Sequence, residues 1–245
     1  MYRLATTSQM KELDRIAIEE WKIPSLTLME RAAGAVADRV LKLTGKTAER
    51  PRVTIFCGPG NNGGDGITAA RLLLAKGCEV RAFLVGDRRK MTPDSLAMEQ
   101  KLILAGGNLE YDLAEQAALQ EWMKGSACMV DALFGVGLRR PITGDFLWAV
   151  RRMNEAPCPV VACDIPSGID GDTGAVLGEA VRAAWTVTFT CSKYGLEQGE
   201  GKVYAGTVEV ADIGIPEEVI ISQTDRCAFR CGTKSAQEHP LQSGK

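Results

Sequence analysis

From residue 52 onward the chain alternates short apolar runs with stretches of helical spacing, and this alternation narrows the possible folds more than any other feature. Val53-Thr54-Ile55-Phe56-Cys57 reads as a strand, 65–76 as a helix, 79–85 as a strand and 93–105 as a helix after Thr92-Pro93. A weak strand at 108–111, a helix at 114–124, a buried strand at 127–131, a helix from Phe146 to Asn154 and a strand at 159–164 follow. Two more strands, 184–191 and 206–212, come without a full helix between them. Strands alternating with helices pack as a parallel sheet covered on both faces. Ahead of them, Gln9 to Leu43 carries apolar residues at helical spacing, broken at Ile23-Pro24-Ser25, which predicts two helices. The expected architecture is α/β: a three-layer αβα sandwich with a mainly parallel central sheet.

Composition removes several classes of function. With 29 Lys plus Arg against 31 Asp plus Glu, nothing electrostatic points to nucleic acid or an anionic membrane. No basic stretch followed by an apolar core opens the chain, and no apolar run reaches the roughly 20 residues needed to span a bilayer. A cytoplasmic protein is expected. The first six of eight cysteines fall in or beside apolar runs and read as reduced, buried thiols. Cys227 and Cys231 lack a second pair, so zinc is disfavoured, and His239 is the one histidine. Acid–base work therefore falls to carboxylates, lysines or tyrosines.

Ligands of open parallel sheets bind beyond the carboxyl ends of the strands, so the loops after strands matter most. Gly58-Pro59-Gly60-Asn61-Asn62-Gly63 matches the spacing of a dinucleotide fingerprint. Asp65 close behind resists a pyrophosphate at the helix start, and Pro59 removes an amide donor. The loop instead supplies glycines for close backbone approach and oxygens from Asn61, Asn62 and Asp65. A second loop follows Asp131, a carboxylate closing a buried strand, which is costly to ionise without a cation or donors. Its Gly135-Val136-Gly137-Leu138 stretch and then Arg139-Arg140-Pro141 could wrap an anionic ligand; two adjacent arginines also suit a plain solvated surface. The third loop begins at Asp164 and carries Ser167. Its Asp170 and Asp172 read as turn formers, since a calcium loop would end in glutamate. Asp164 is the stronger catalytic candidate.

Gly58 to Gly66, Asp131-Ala132-Leu133-Phe134-Gly135-Val136-Gly137-Leu138, Asp164-Ile165-Pro166-Ser167-Gly168 and Val210-Ala211-Asp212-Ile213-Gly214-Ile215-Pro216 stand in order. With Gln9-Met10 and Leu28-Met29-Glu30 they resemble the YjeF N-terminal domain family, the NAD(P)H-hydrate epimerases, over roughly residues 1 to 218. The resemblance implies a Rossmann-like fold that interconverts the R and S forms of hydrated NADH and NADPH (NADHX and NADPHX). It implies that Asn61, Asn62, Gly63, Gly64 and Asp65 bind substrate together with Gly135, Val136, Gly137, Leu138, Arg139, Arg140 and Pro141. It further implies that Asp164 contacts the substrate and that Asn62, Asp131 and Ser167 ligate one potassium ion. A homodimer packed through the first helices, and coupling to an ADP- or ATP-dependent dehydratase, belong to the same expectation.

The chain departs from the family at Met29-Glu30-Arg31-Ala32-Ala33, where many relatives carry asparagine in place of Arg31. Residues 1–220 are expected to form the domain and 221–245 a polar, disordered tail. Two other readings stand beside the enzyme: a non-catalytic scaffold of the same fold, and an NAD-dependent dehydrogenase. The dehydrogenase would need a ribose-binding acid after its second strand, and Asp87 comes late for it.

Overall fold

The computed structural model describes residues 2–45, 50–111, 116–224 and 229–230. In chain order the elements are β1 (Tyr2–Ala5), α1 (Thr7–Arg15), α2 (Ser25–Thr44), β2 (Arg52–Cys57), α3 (Asn61–Ala75), β3 (Glu79–Leu84), α4 (Pro93–Leu104) and β4 (Leu109–Glu110). There follow α5 (Gln116–Lys124), β5 (Cys128–Ala132), α6 (Gly144–Glu155), β6 (Val160–Cys163), β7 (Trp185–Phe189), β8 (Ser192–Lys193), α7 (Tyr194–Glu197), α8 (Gly201–Tyr204), β9 (Thr207–Ala211), α9 (Glu217–Gln223) and β10 (Phe229–Arg230).

Seven strands form one sheet in the order β4-β3-β2-β5-β6-β7-β9. Every pairing in it is parallel, as the alternation of strands and helices required. Strand residues alternate between two cores, with a period of two. Val53, Ile55 and Cys57 face α1 to α4, while Phe56 faces α5 and α6. The order reverses between β2 and β5. The loops after these two strands therefore part to opposite faces and leave a crevice at the sheet edge.

The first two helices differ from the expectation in detail only. Thr6 caps α1: its Oγ1 accepts from the Gln9 amide at 3.1 Å, while Gln9 Oε1 accepts from the Thr6 amide at 2.8 Å. A π-helical turn, Ile16–Glu20, continues α1 before Pro24 leads into α2. Helix α3 starts at Asn61, four residues earlier than the spacing predicts, because packing overrides the poor helix propensity of two successive glycines. A Cβ at Gly63 would overlap the Gly58 carbonyl, and one at Gly66 would press on Ala132 and Cys57. Only bare backbone lets the helix start lie this close to the loop after β2.

A second sheet has no counterpart in the sequence reading. It runs β10-β1-β8, with β1 antiparallel to β10 and parallel to β8, in the register Leu4 to Ser192 and Ala5 to Lys193. The strand expected over 184–191 accordingly ends at Phe189. Thr190 then takes a left-handed φ of 63°, rare for a β-branched residue, and the chain leaves the main sheet for the small one. Of the tail expected from 221, α9 occupies the first residues and Phe229–Arg230 pairs with β1. Cys227, Cys231 and His239 lie outside the described residues. The six described cysteines are free, five of them buried. Among the described residues no helix is long and apolar enough to cross a membrane.

Candidate active site

The loop after β2 is tied to its neighbour by the Gly58 amide, which donates to the Ala132 carbonyl at 2.9 Å. Asn61, Asn62, Gly63 and Gly64 form the first turn of α3, whose leading amides lack carbonyl partners within the helix. The positive end of the helix dipole thus faces the crevice. Asp65 sits one residue deeper and is buried. Burial pushes its carboxyl well above the usual carboxylate range, and the charges of Asp164 and Asp14 push the same way.

Asp131 is the penultimate residue of β5 and is wholly buried. Its Oδ1 accepts from Ser167 Oγ at 2.6 Å and from the Leu133 amide at 3.2 Å, and its Oδ2 accepts from the Ser167 amide at 2.7 Å. Ser167 Oγ in turn accepts from the Phe134 amide at 2.9 Å, so Asp131 and Ser167 lock the second and third loops together. Burial raises Asp131 to about 6 despite these donors. Asn62 and Asp164 both approach Gly135. A Cβ on Gly135 would stand 3.2 Å from Asn62 Oδ1 and 3.0 Å from Asp164 Oδ2. The Asn62 Nδ2 is buried without a hydrogen-bond partner.

Asp164 follows β6 in the left-handed region, at φ 68°, a conformation tolerated by aspartate but not free of cost. Its environment holds the residue the sequence reading missed. Lys193 is 1% exposed, and its Nζ donates to Asp164 Oδ1 at 2.5 Å, to Thr188 Oγ1 at 2.8 Å and to the Phe189 carbonyl at 3.2 Å. Thr188 Oγ1 also donates to Asp164 Oδ1 at 3.1 Å. No local motif marks Lys193. Its place is set by the pairing of β8 with β1, nearly two hundred residues away in sequence.

Asp14 was missed as well, though it left a signal. It lies four residues after Met10 and four before Ile18, and all three line the cleft, so a carboxylate interrupts an apolar helix stripe. The third loop fixes the helix that carries it. Asp172 accepts from the Thr7 amide at 2.6 Å and from Thr7 Oγ1 at 2.7 Å, at the start of α1. Asp170 forms the expected turn, accepting from the amides of Asp172 and Thr173.

Two adjoining clefts, about 660 and 990 Å³ with their open mouths, share Asp14, Asn61, Asp65, Val136, Asp164 and Phe189. The larger is walled by residues 59–62 and 133–138, which places Gly135 to Leu138 along its wall. Arg139, Arg140 and Pro141 do not line either cleft. Arg139 instead donates to Thr7 Oγ1 at 2.8 Å and approaches Asp172 at 3.5 Å, while Arg140 and Pro141 are exposed at the rim. Arg31 donates to the Ile213 carbonyl at 3.1 Å and braces the motif at 210–216.

The family described as YjeF-related protein N-terminus matches residues 25–195. The chain is 41% identical over 215 residues to an NAD(P)H-hydrate epimerase of Levilactobacillus brevis, covering 88% of this chain and 95% of that one. It is 40% identical over 228 residues to a bifunctional NAD(P)H-hydrate repair enzyme Nnr of Moorella thermoacetica, of which it spans 42%. Among solved structures, the yeast protein ynu0 superposes with a TM-score of 0.71 at 25% identity, over 85% of this chain and 87% of that one.

Proposed function

The chain belongs to the YjeF-related N-terminal family, and from that premise we propose that it is an NAD(P)H-hydrate epimerase, interconverting the R and S forms of NADHX and NADPHX. The observation that carries the reading is the buried Lys193–Asp164 pair, with Asp164 lining both adjoining clefts, the larger of them walled by two glycine-rich loops.

The damaged ring carbon bears a hydroxyl beside the ring nitrogen. Protonation of that hydroxyl lets the nitrogen lone pair expel it as water, leaving a planar carbon doubly bonded to nitrogen. Water adds back to either face, gives up a proton and completes the exchange. Asp164 works at this hydroxyl: its Oδ1 is held by Lys193 and Thr188, and its Oδ2, beside Gly135, is left for the substrate. The Gly135–Leu138 backbone holds the phosphate-bearing part of the ligand, as glycine-rich backbone does elsewhere, and residues 61–65 at the start of α3 contact the ligand beside it. Arg140, Pro141 and Arg139 border that part from the rim.

The residues also fit a potassium ion. Asp131 is a buried carboxylate with no ion pair among the described residues, Ser167 Oγ lies 2.6 Å from it, and the Asn62 side chain carries a buried Nδ2 without a partner. One negative charge among neutral oxygens suits a hard, singly charged cation. Asn62, Asp131 and Ser167 would hold it, and the ion would supply a positive charge that neutralises Asp131 and fixes the loops.

A dehydrogenase is disfavoured by Asp87. It caps the turn at Arg88–Lys90 and is paired with Arg89. On the epimerase reading the chain acts in the cytoplasm, feeds an ADP- or ATP-dependent dehydratase specific for the S form, and pairs as a homodimer through its first helices, where Trp21 is half exposed. The test mixes the full chain with purified S-specific dehydratase, its nucleotide and mixed NADHX epimers. Accelerated consumption of the R form is expected. A rate no faster than spontaneous epimerisation overturns the proposal.

A further inference from the structure

Epimerisation breaks a C–O bond on one face of the ring and makes one on the other. The departing hydroxyl takes a proton on the first face, and the arriving water surrenders one on the second. One carboxyl fixed in a rigid site stands on one face, so efficient inversion calls for a second proton-transfer group approaching from another direction.

We propose that Asp14 is that second acid–base residue, serving the ring face turned away from Asp164. The inference depends on the epimerase reading. Asp14 comes from α1, outside the main sheet, whereas Asp164 comes from the end of β6, and both line the two halves of the cleft. Among the described residues no hydrogen bond or ion pair engages the Asp14 carboxyl, so it is uncommitted. The helix bearing it is anchored at its start by Asp172 and near its start by Gln9, whose Nε2 donates to the Gln223 carbonyl at 2.6 Å. That anchoring holds the carboxyl in place without occupying it.

The charged groups around Asp14 divide the labour. Lys193, from β8, is committed to Asp164. Asp65, from α3, is pushed well above the usual carboxylate range by burial and by the charges of Asp164 and Asp14. Asp94, at the start of α4, lines the outer part of the same cleft. For Asp14, burial raises the carboxyl to about 6, against the pull of the Lys193 ammonium and with the push of the Asp164 charge. A group near neutrality can both give and take a proton at working pH.

The experiment follows two events separately in heavy-oxygen water: exchange of the ring hydroxyl oxygen with retention, and epimerisation. The proteins are the full wild-type chain, Asp14→Asn and Asp14→Glu, each checked for a native thermal melt. In Asp14→Asn, epimerisation should fall by ~100-fold or more with KM changed little, while the epimer served by Asp164 keeps exchanging its oxygen. A wild-type pH limb near 6 should disappear in that variant, and Asp14→Glu should recover part of the rate. Epimerisation at the wild-type rate in Asp14→Asn, or equal loss of exchange and epimerisation in both variants, overturns the assignment. If wild-type protein neither exchanges nor epimerises, the fault lies with the epimerase reading itself.

Discussion

The switch-point loops and the small sheet β10-β1-β8 build one site by different means. The loops after β2, β5 and β6 bring glycines, amide groups and carboxylates to a crevice that any parallel sheet of this order would open. The small sheet brings Lys193 to the cleft lining, through a two-residue parallel pairing with the N-terminal strand. The loop side provides shape and the small sheet provides charge. Without Lys193, Asp14, Asp65 and Asp164 would crowd the cleft with no compensating cation among the residues that line it.

The sharpest way to break this contrast is Lys193→Met. Removing one partner of a buried ion pair strands the other, at a cost of about 3–5 kcal/mol. Chemical denaturation should show that loss together with near-complete loss of epimerisation. A variant that keeps wild-type stability and rate would mean that the small sheet is decoration. On the loop side, Gly63→Ala places a methyl against the Gly58 carbonyl, and about 3 kcal/mol of destabilisation is expected. On the proposed ligand role of the α3 start, its activity defect should appear chiefly in KM; a change confined to kcat would move that loop to the chemical side of the comparison.

The smallest effect concerns the ion. Asp131 sits at about 6 in the folded protein against 3.8 for an unperturbed aspartate. A raised folded value means that its contribution to stability is full below 3.8 and is lost as pH rises through about 6. A bound cation favours the ionised form and reverses that loss. Potassium at ten times its Kd should therefore add about 1.4 kcal/mol, or about 3 °C in Tm, at pH 8, and less at pH 5. Equal shifts at both pH values, or the same gain from tetramethylammonium, would remove the Asn62–Asp131–Ser167 site.

Much of the site was legible because strand-end carboxylates and glycine-rich turns are local features. Asp131, Asp164 and the 58–66 loop could be singled out by position alone, each following an apolar run. The start of α3 lies earlier than the spacing predicts because helix propensity disfavours Gly63 and Gly64, whereas close packing of Gly63 on Gly58 and of Gly66 on Ala132 requires bare backbone. Asp14 was visible only as a polar break in an apolar stripe. Lys193 gave no sign, since its meaning lies in what surrounds it.

By itself the sequence determined the parallel α/β layering, the crevice at the switch point and the oxygen-rich loops there, because periodicity and turn chemistry act over a few residues. Tertiary structure alone decided how the charges balance. The pairing of Ala5 with Lys193 and the bond from Thr7 to Asp172 join the N-terminal segment to residues far along the chain, and no local pattern encodes them. The protonation of a buried carboxyl follows from burial and from the charges brought beside it, and both exist only once the chain has closed around the cleft.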